Sequence, residues 1–113
     1  MKCSFEEIGR LSVTFPDGGC TANSVCKLNT AGQAVNCAAG DRFCGVVEVK
    51  NGGCAGVQIH GFAHVVYTST APAVGYANLV ANGTGGVKVD NTNGKSYFVV
   101  AVDTASKTVT IEL

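Results

Sequence analysis

The fold is read from residues 43–59, where Phe43-Cys44-Gly45-Val46-Val47-Glu48-Val49-Lys50 runs into Asn51-Gly52-Gly53 and out again through Val57-Gln58-Ile59. β-Branched and aromatic side chains fill both arms, and these favour the pleated, half-buried surface of a strand. Between them Asn-Gly reaches positive φ at little cost, as a tight hairpin turn requires. A second copy follows in Tyr97-Phe98-Val99-Val100-Ala101-Val102, then residues 103–107, then Val109-Thr110-Ile111. Val47 and Val49 recur 53 residues later as Val100 and Val102, and Val57 and Ile59 recur 52 residues later as Val109 and Ile111, so the second loop is expected to be one residue shorter. Two readings stand: the hairpins are halves of one barrel, or they share only the common look of antiparallel hairpins.

Outward from this stretch, turn signals stand at Asp17-Gly18-Gly19, Asn29-Thr30-Ala31-Gly32, Ala39-Gly40-Asp41, Asn82-Gly83-Thr84-Gly85-Gly86 and Asn91-Thr92-Asn93-Gly94. The runs between them predict strands over 10–15, 24–28, 33–37, 42–49, 55–67, 77–81, 86–90, 96–103 and 107–113. No segment sustains a helical period with caps. The expected class is all-β, a small antiparallel β-barrel of short strands with Gly/Asn-rich turns, formed by residues 10–113 as one domain. Residues 1–9 read as an N-terminal arm, with Ser4 and Glu7 spaced as a capping box for one helical turn if the arm is not extended. The long run 55–67 is expected to bend at Gly61 and to serve two neighbours. Alternation puts Val57, Ile59, Ala63, Val65 and Tyr67 on its core face, and Gln58, His60, Phe62, His64 and Val66 on a face for solvent or a partner.

Composition narrows the function. The 113 residues carry zero formal net charge and only 14% charged side chains. Binding along phosphates or to anionic lipid needs a basic excess, so neither nucleic acid nor a membrane is an expected partner. No apolar run reaches the roughly 18 residues of a membrane span. A weakly charged surface near zero net charge favours association, so a subunit packed among neighbours is expected. The six cysteines are Cys3, Cys20, Cys26, Cys37, Cys44 and Cys54. The N-terminal sequence shows no apolar segment of signal-peptide length, which points to a reducing compartment. We read the cysteines chiefly as small core side chains, Cys44 among them; structural disulfides are the other reading.

Little in the sequence points to catalysis. His60 and His64 lie about 13 Å apart on an extended strand, too far to share a metal ion, and no Cys-x-x-Cys pair occurs. The eight acidic residues fall mostly in turns or the arm. Gly83-Thr84-Gly85-Gly86 lacks the lysine of a phosphate loop. No family-specific signature surrounds any cysteine, although a cysteine-dependent enzyme would need only a low-pKa thiol with a histidine nearby. The expectation is a protein that is not an enzyme, with no catalytic residues, no metal and no cofactor. The expected contact elements are the arm, through Lys2, Phe5 and Ile8, and the strand face carrying His60, Phe62 and His64.

A resemblance sharpens this. Ala38-Ala39-Gly40-Asp41-Arg42-Phe43-Cys44-Gly45-Val46-Val47, the glycine-ended Val57-Gln58-Ile59-His60-Gly61, the Pro-x-x-Gly of Thr70-Ala71-Pro72-Ala73-Val74-Gly75-Tyr76, and the closing pair over 97–113 resemble small structural proteins of tailed bacteriophages. The likeness covers residues 32–113, and Gly40, Asp41, Gly45, Gly61 and Gly75 match as turn and bend positions. It implies a capsid decoration, or head-stabilising, protein of the β-tulip type, made in the bacterial host cytoplasm and located on the virion surface. Its partners would be the major capsid protein and copies of itself, commonly as a trimer, with an arm reaching the shell. A phage tail or connector subunit and a small ligand-binding β-barrel are the alternatives. The abundance of cysteine departs from the family pattern.

Overall fold

The computed structural model describes residues 10–113, and every regular element among them is a strand. The arm, with Lys2, Phe5 and Ile8, lies outside the described residues. The strands are β1 (Leu11–Pro16), β2 (Val25–Leu28), β3 (Ala34–Asn36), β4 (Gly45–Asn51), β5 (Cys54–His60), β6 (Phe62–Val66), β7 (Gly75–Ala81), β8 (Val87–Val89), β9 (Lys95–Asp103) and β10 (Thr108–Glu112). They form two five-stranded antiparallel sheets ordered β1-β5-β4-β2-β3 and β6-β10-β9-β7-β8. Adding five to each strand of the first order gives the second. The echo read between two hairpins is thus part of a repeat that spans both halves of the chain.

The repeat extends to individual bonds. Asn29 accepts from the N–H groups of Ala31 and Gln33, and Asn82 accepts from those of Thr84 and Gly86. The two asparagines stand 53 residues apart at the same turn, between β2 and β3 and between β7 and β8. Just past β1, Asp17 forms a parallel bridge to Ala34 of β3; just past β6, Tyr67 forms one to Val87 of β8. These strands are the two edges of their sheets, so each sheet curls until its edges meet at one point. Asp17 N–H also donates to Gly53 O, and Tyr67 N–H to Lys107 O. Gly53 and Lys107 both have positive φ, +82° and +54°.

One expectation about the repeat is reversed. Gly52 and Gly53 alone join β4 to β5, whereas residues 104–107 join β9 to β10, so the second loop is the longer. Asp103 supports that longer turn by accepting from the N–H groups of Ala105 and Ser106. The valine echo matched residue types, while hydrogen bonding, which sets register, follows the turn.

The run 55–67 divides at Gly61 (φ +92°) into β5 of one sheet and β6 of the other. This break corrects the position of Gln58, which the alternation turned outward. Gln58 is buried, and its Nε2 donates to the carbonyls of His60 and Phe62 at 3.1 and 2.8 Å. A chain that changes sheets leaves these carbonyls beside the bend, and the amide of Gln58 satisfies them. Leu113 N–H caps Gly61 O at 2.9 Å.

Among the described residues two apolar clusters form the interior. The smaller, inside the first sheet, contains Cys20, Cys26, Ala34, Val47, Ala55 and Val57. The larger is built on Leu79, Ile111, Val99, Tyr67 and Tyr97 of the second half and takes in Val25, Cys37, Phe43 and Val46 of the first. Backbone bonds cross between the halves as well, from Gly40 N–H to Ala81 O, Ala81 N–H to Asp41 O and Val25 N–H to Gly85 O. Glycine is required at that contact. Gly85 has φ +95°, and a Cβ there would lie 2.7 Å from Ser24 Oγ.

Candidate functional site

A surface cleft of about 520 Å³ opens where the segment before β4 meets the ends of β5 and β9. Phe43 and Tyr97 form its aromatic wall, stacked with centroids 5.0 Å apart and planes 8° from parallel. Lys95 Nζ lies 5.2 Å from the Tyr97 centroid, a cation–π contact. Arg42, Cys44 and His60 complete the polar lining.

Cys44 is exposed, which corrects the reading of it as a buried small hydrophobe. Gly45 lies opposite Cys26 in the β2–β4 ladder, and the preceding residue, Cys44, donates its own N–H to Cys26 O at 2.9 Å. Two successive residues thus face one, as at a β-bulge, where local twist re-aims side chains. The Cys26 thiol hydrogen-bonds the Cys44 sulfur and is the main cause that holds the Cys44 thiol down to about 7. Cys26, fully buried, is pushed up by the same bond and by burial. Cys37 is pushed up to about 11, chiefly by burial and then by the Asp41 carboxylate. Cys20 is raised by burial and by Asp17. The cysteines with described placement thus include one thiol at an open cleft, Cys44, next to the buried Cys26.

The strand face expected to carry His60, Phe62 and His64 is divided by the Gly61 bend. His60 lines the Cys44 cleft, whereas Phe62 and His64 line a smaller depression of about 290 Å³ between the sheets, beside Arg10, Glu48 and Gln58. There His64 Nδ1 is 2.7 Å from the Thr110 hydroxyl, and Glu48 is bound by both Arg10 and Ser12. Among the described residues no group of three or more His, Cys, Asp or Glu is placed to hold a metal ion.

A third feature, an apolar row, was not drawn from the sequence. Its apolar part is Tyr76 paired with Phe98 across β7 and β9; beyond Phe98 the transverse row continues through the exposed carboxylate of Glu112 on β10 to Phe62 on β6. Tyr76 is 73% exposed, with its ring centroid 5.4 Å from that of Phe98, and neighbouring Val74 is 67% exposed. Val66 adds apolar surface on the same sheet. The available signal was the alternation in Tyr97-Phe98-Val99, whose outer residues are buried while Phe98 points out. No family model, curated protein or solved structure matches this chain.

Proposed function

We propose that this chain is a non-enzymatic structural subunit that binds the outside of a bacteriophage capsid as a decoration or stabilising protein, contacting the major capsid protein and copies of itself. The observation that carries the reading is the exposed apolar row headed by Tyr76 and Phe98, on a protein with zero net charge. Apolar patches of this kind mark interaction surfaces, and the absence of a strong single-sign field lets identical subunits approach. A scaffold of two curled sheets with a shared core supplies the rigidity the role needs. In this reading the protein is made in the host cytoplasm and ends on the virion, with the arm through Lys2, Phe5 and Ile8 and the residues His60, Phe62 and His64 as further contacts.

The test is co-sedimentation with capsids assembled from the same virus's major capsid protein, alongside native mass by light scattering. Saturable binding to shells, reduced at least tenfold in the Tyr76→Ser/Phe98→Ser double variant with its melting midpoint preserved, is the expected result. A strict monomer that ignores shells, or one that sediments with tails alone, overturns it.

A further inference from the structure

We propose that Cys44 and Cys26 form an oxidant-sensitive dithiol, a modification site in which Cys44 is attacked from the open cleft by a hydroperoxide and Cys26 closes the disulfide behind it. Three independent features carry this. Cys44 is the exposed member, at the mouth of the cleft, and Cys26 is the fully buried one. The pair is adjacent in the sheet: the N–H of Cys44 donates to Cys26 O at 2.9 Å, and Cys26 faces Gly45, the next residue, in register. The cleft is also lined by Arg42, Lys95 and His60, polar groups able to hydrogen-bond a hydroperoxide that enters it.

The chemistry balances. The Cys44 thiolate attacks the terminal oxygen of ROOH, the O–O bond breaks, and the alkoxide leaves and takes up the proton released by Cys44, giving ROH and Cys44 sulfenic acid. The Cys26 sulfur then attacks the Cys44 sulfur. The S–O bond breaks, and hydroxide leaves with the Cys26 proton as water. In total two thiols and one hydroperoxide give a disulfide, an alcohol (water when the oxidant is hydrogen peroxide) and water. The new bond closes a loop over residues 27–43. That loop contains the Lys27–Asp41 ion pair, 2.6 Å long, and the backbone bonds in which Gly40 N–H donates to Ala81 O and Asp41 O accepts from Ala81 N–H. Crosslinking therefore fastens the seam between the halves as well as the edge of β4.

The experiment treats the reduced, full-length protein with one equivalent of hydrogen peroxide under native conditions, then blocks remaining thiols with iodoacetamide and digests with trypsin. The cleavage sites place Cys20 and Cys26 on the fragment 11–27, Cys37 on 28–42, Cys44 on 43–50 and Cys54 on 51–88. The expected product is 11–27 joined to 43–50, with fragmentation locating the bond at Cys26, and with a higher melting midpoint than the reduced protein. Cys26→Ser should leave Cys44 as a sulfenic acid that dimedone traps, while Cys44→Ser should slow oxidation of Cys26 at least tenfold. Linkage of 43–50 to 28–42 or 51–88, or Cys44 and Cys26 both alkylated after exposure, overturns the proposal. The wild-type map decides the matter even where a variant fails to fold.

Discussion

Replacing Gly45 with alanine tests the account of the β4–β5 contact most sharply. A Cβ at Gly45 would lie 2.2 Å from the Gln58 carbonyl oxygen and 2.8 Å from Val57 Cγ1. Carbon and oxygen ordinarily approach to about 3.3 Å, so the strands must part by about 1 Å. A ladder bond stretched by that much is lost, at about 1 kcal/mol each for one or two bonds, and the overpacking adds about 1–3 kcal/mol. The expected cost is about 3 kcal/mol, or about 12 °C in melting midpoint for a chain of this size. Gly52→Ala is the control. Gly52 has φ +58° with no atom within 4 Å of its Cβ position, so only the left-handed backbone penalty of about 1 kcal/mol applies. Urea unfolding with reductant present measures both, with unchanged slope showing that the same surface is exposed. If Gly45→Ala costs no more than Gly52→Ala, the close approach at Gln58 is not a real constraint.

Four further outcomes are expected. Gln58→Met should cost about 2 kcal/mol by urea unfolding, because two hydrogen bonds to the carbonyls flanking Gly61 go unreplaced; a change under about 0.5 kcal/mol would mean that water takes the amide's place. Asn82→Ala should destabilise by about 1–2 kcal/mol and Asn29→Ala by less, since the amide of Asn82 donates to Thr68 Oγ1 in a part-buried bond while that of Asn29 donates to Gln33 Oε1 in an exposed one; the reverse order counts against the assignment. Acid should weaken the fold. The Gly19 N–H and then Lys50 hold the Asp17 carboxyl down to about 2, and Asp41, Asp90 and Asp103 are also lowered. Groups lowered on folding stabilise fully above their unfolded value and lose that effect as pH falls, so the melting midpoint should drop from about pH 4 towards pH 2, and Asp17→Asn should flatten part of the drop. In native-state hydrogen exchange, the slowest amides should lie in β7, β9 and β10, which surround the larger core; slowest exchange in β4 and β5 would reverse this ranking.

Most strand positions were legible because turn chemistry is local. Asn29, Asn51 and Asn82 each mark a reversal that the structure contains, and β-branched runs lie between them. The division at Gly61 was legible as a bend but not as a change of sheet, because the apolar alternation continues on both sides of it. Gln58 went astray for that reason: its inward position depends on carbonyls that lose their ladder partners only once the chain changes sheets. The site was less legible still. Cys44 sits in a run that reads as strand, and its exposure follows from the place where Cys44 and Gly45 together face Cys26, a tertiary register that no local pattern encodes. Tyr76 and Phe98 are 22 residues apart in sequence, and only the β7–β9 register makes them one surface.

The repeat explains why the thiol pair lies in the first half. The β2–β3 and β7–β8 ladders superpose with one offset: Cys26 pairs with Asn36 as Leu79 pairs with Val89, and Leu28 pairs with Ala34 as Ala81 pairs with Val87. Cys26 therefore occupies the position of Leu79, and Ala34 that of Val87, all four buried. Each exchange gives the first sheet a smaller side chain, at about 0.8 kcal/mol for every CH2 not buried. Its cluster is correspondingly small, and its residues Val25, Cys37, Phe43 and Val46 pack into the other half's core instead. Stability is thus concentrated in the second half, whose outer face also bears the apolar row. In the first half, the position that leucine fills in the other copy carries the thiol of Cys26, whose carbonyl accepts from the Cys44 N–H. One topology used twice has separated packing from sulfur chemistry, and the bulge at Cys44–Gly45 brings that chemistry to the surface.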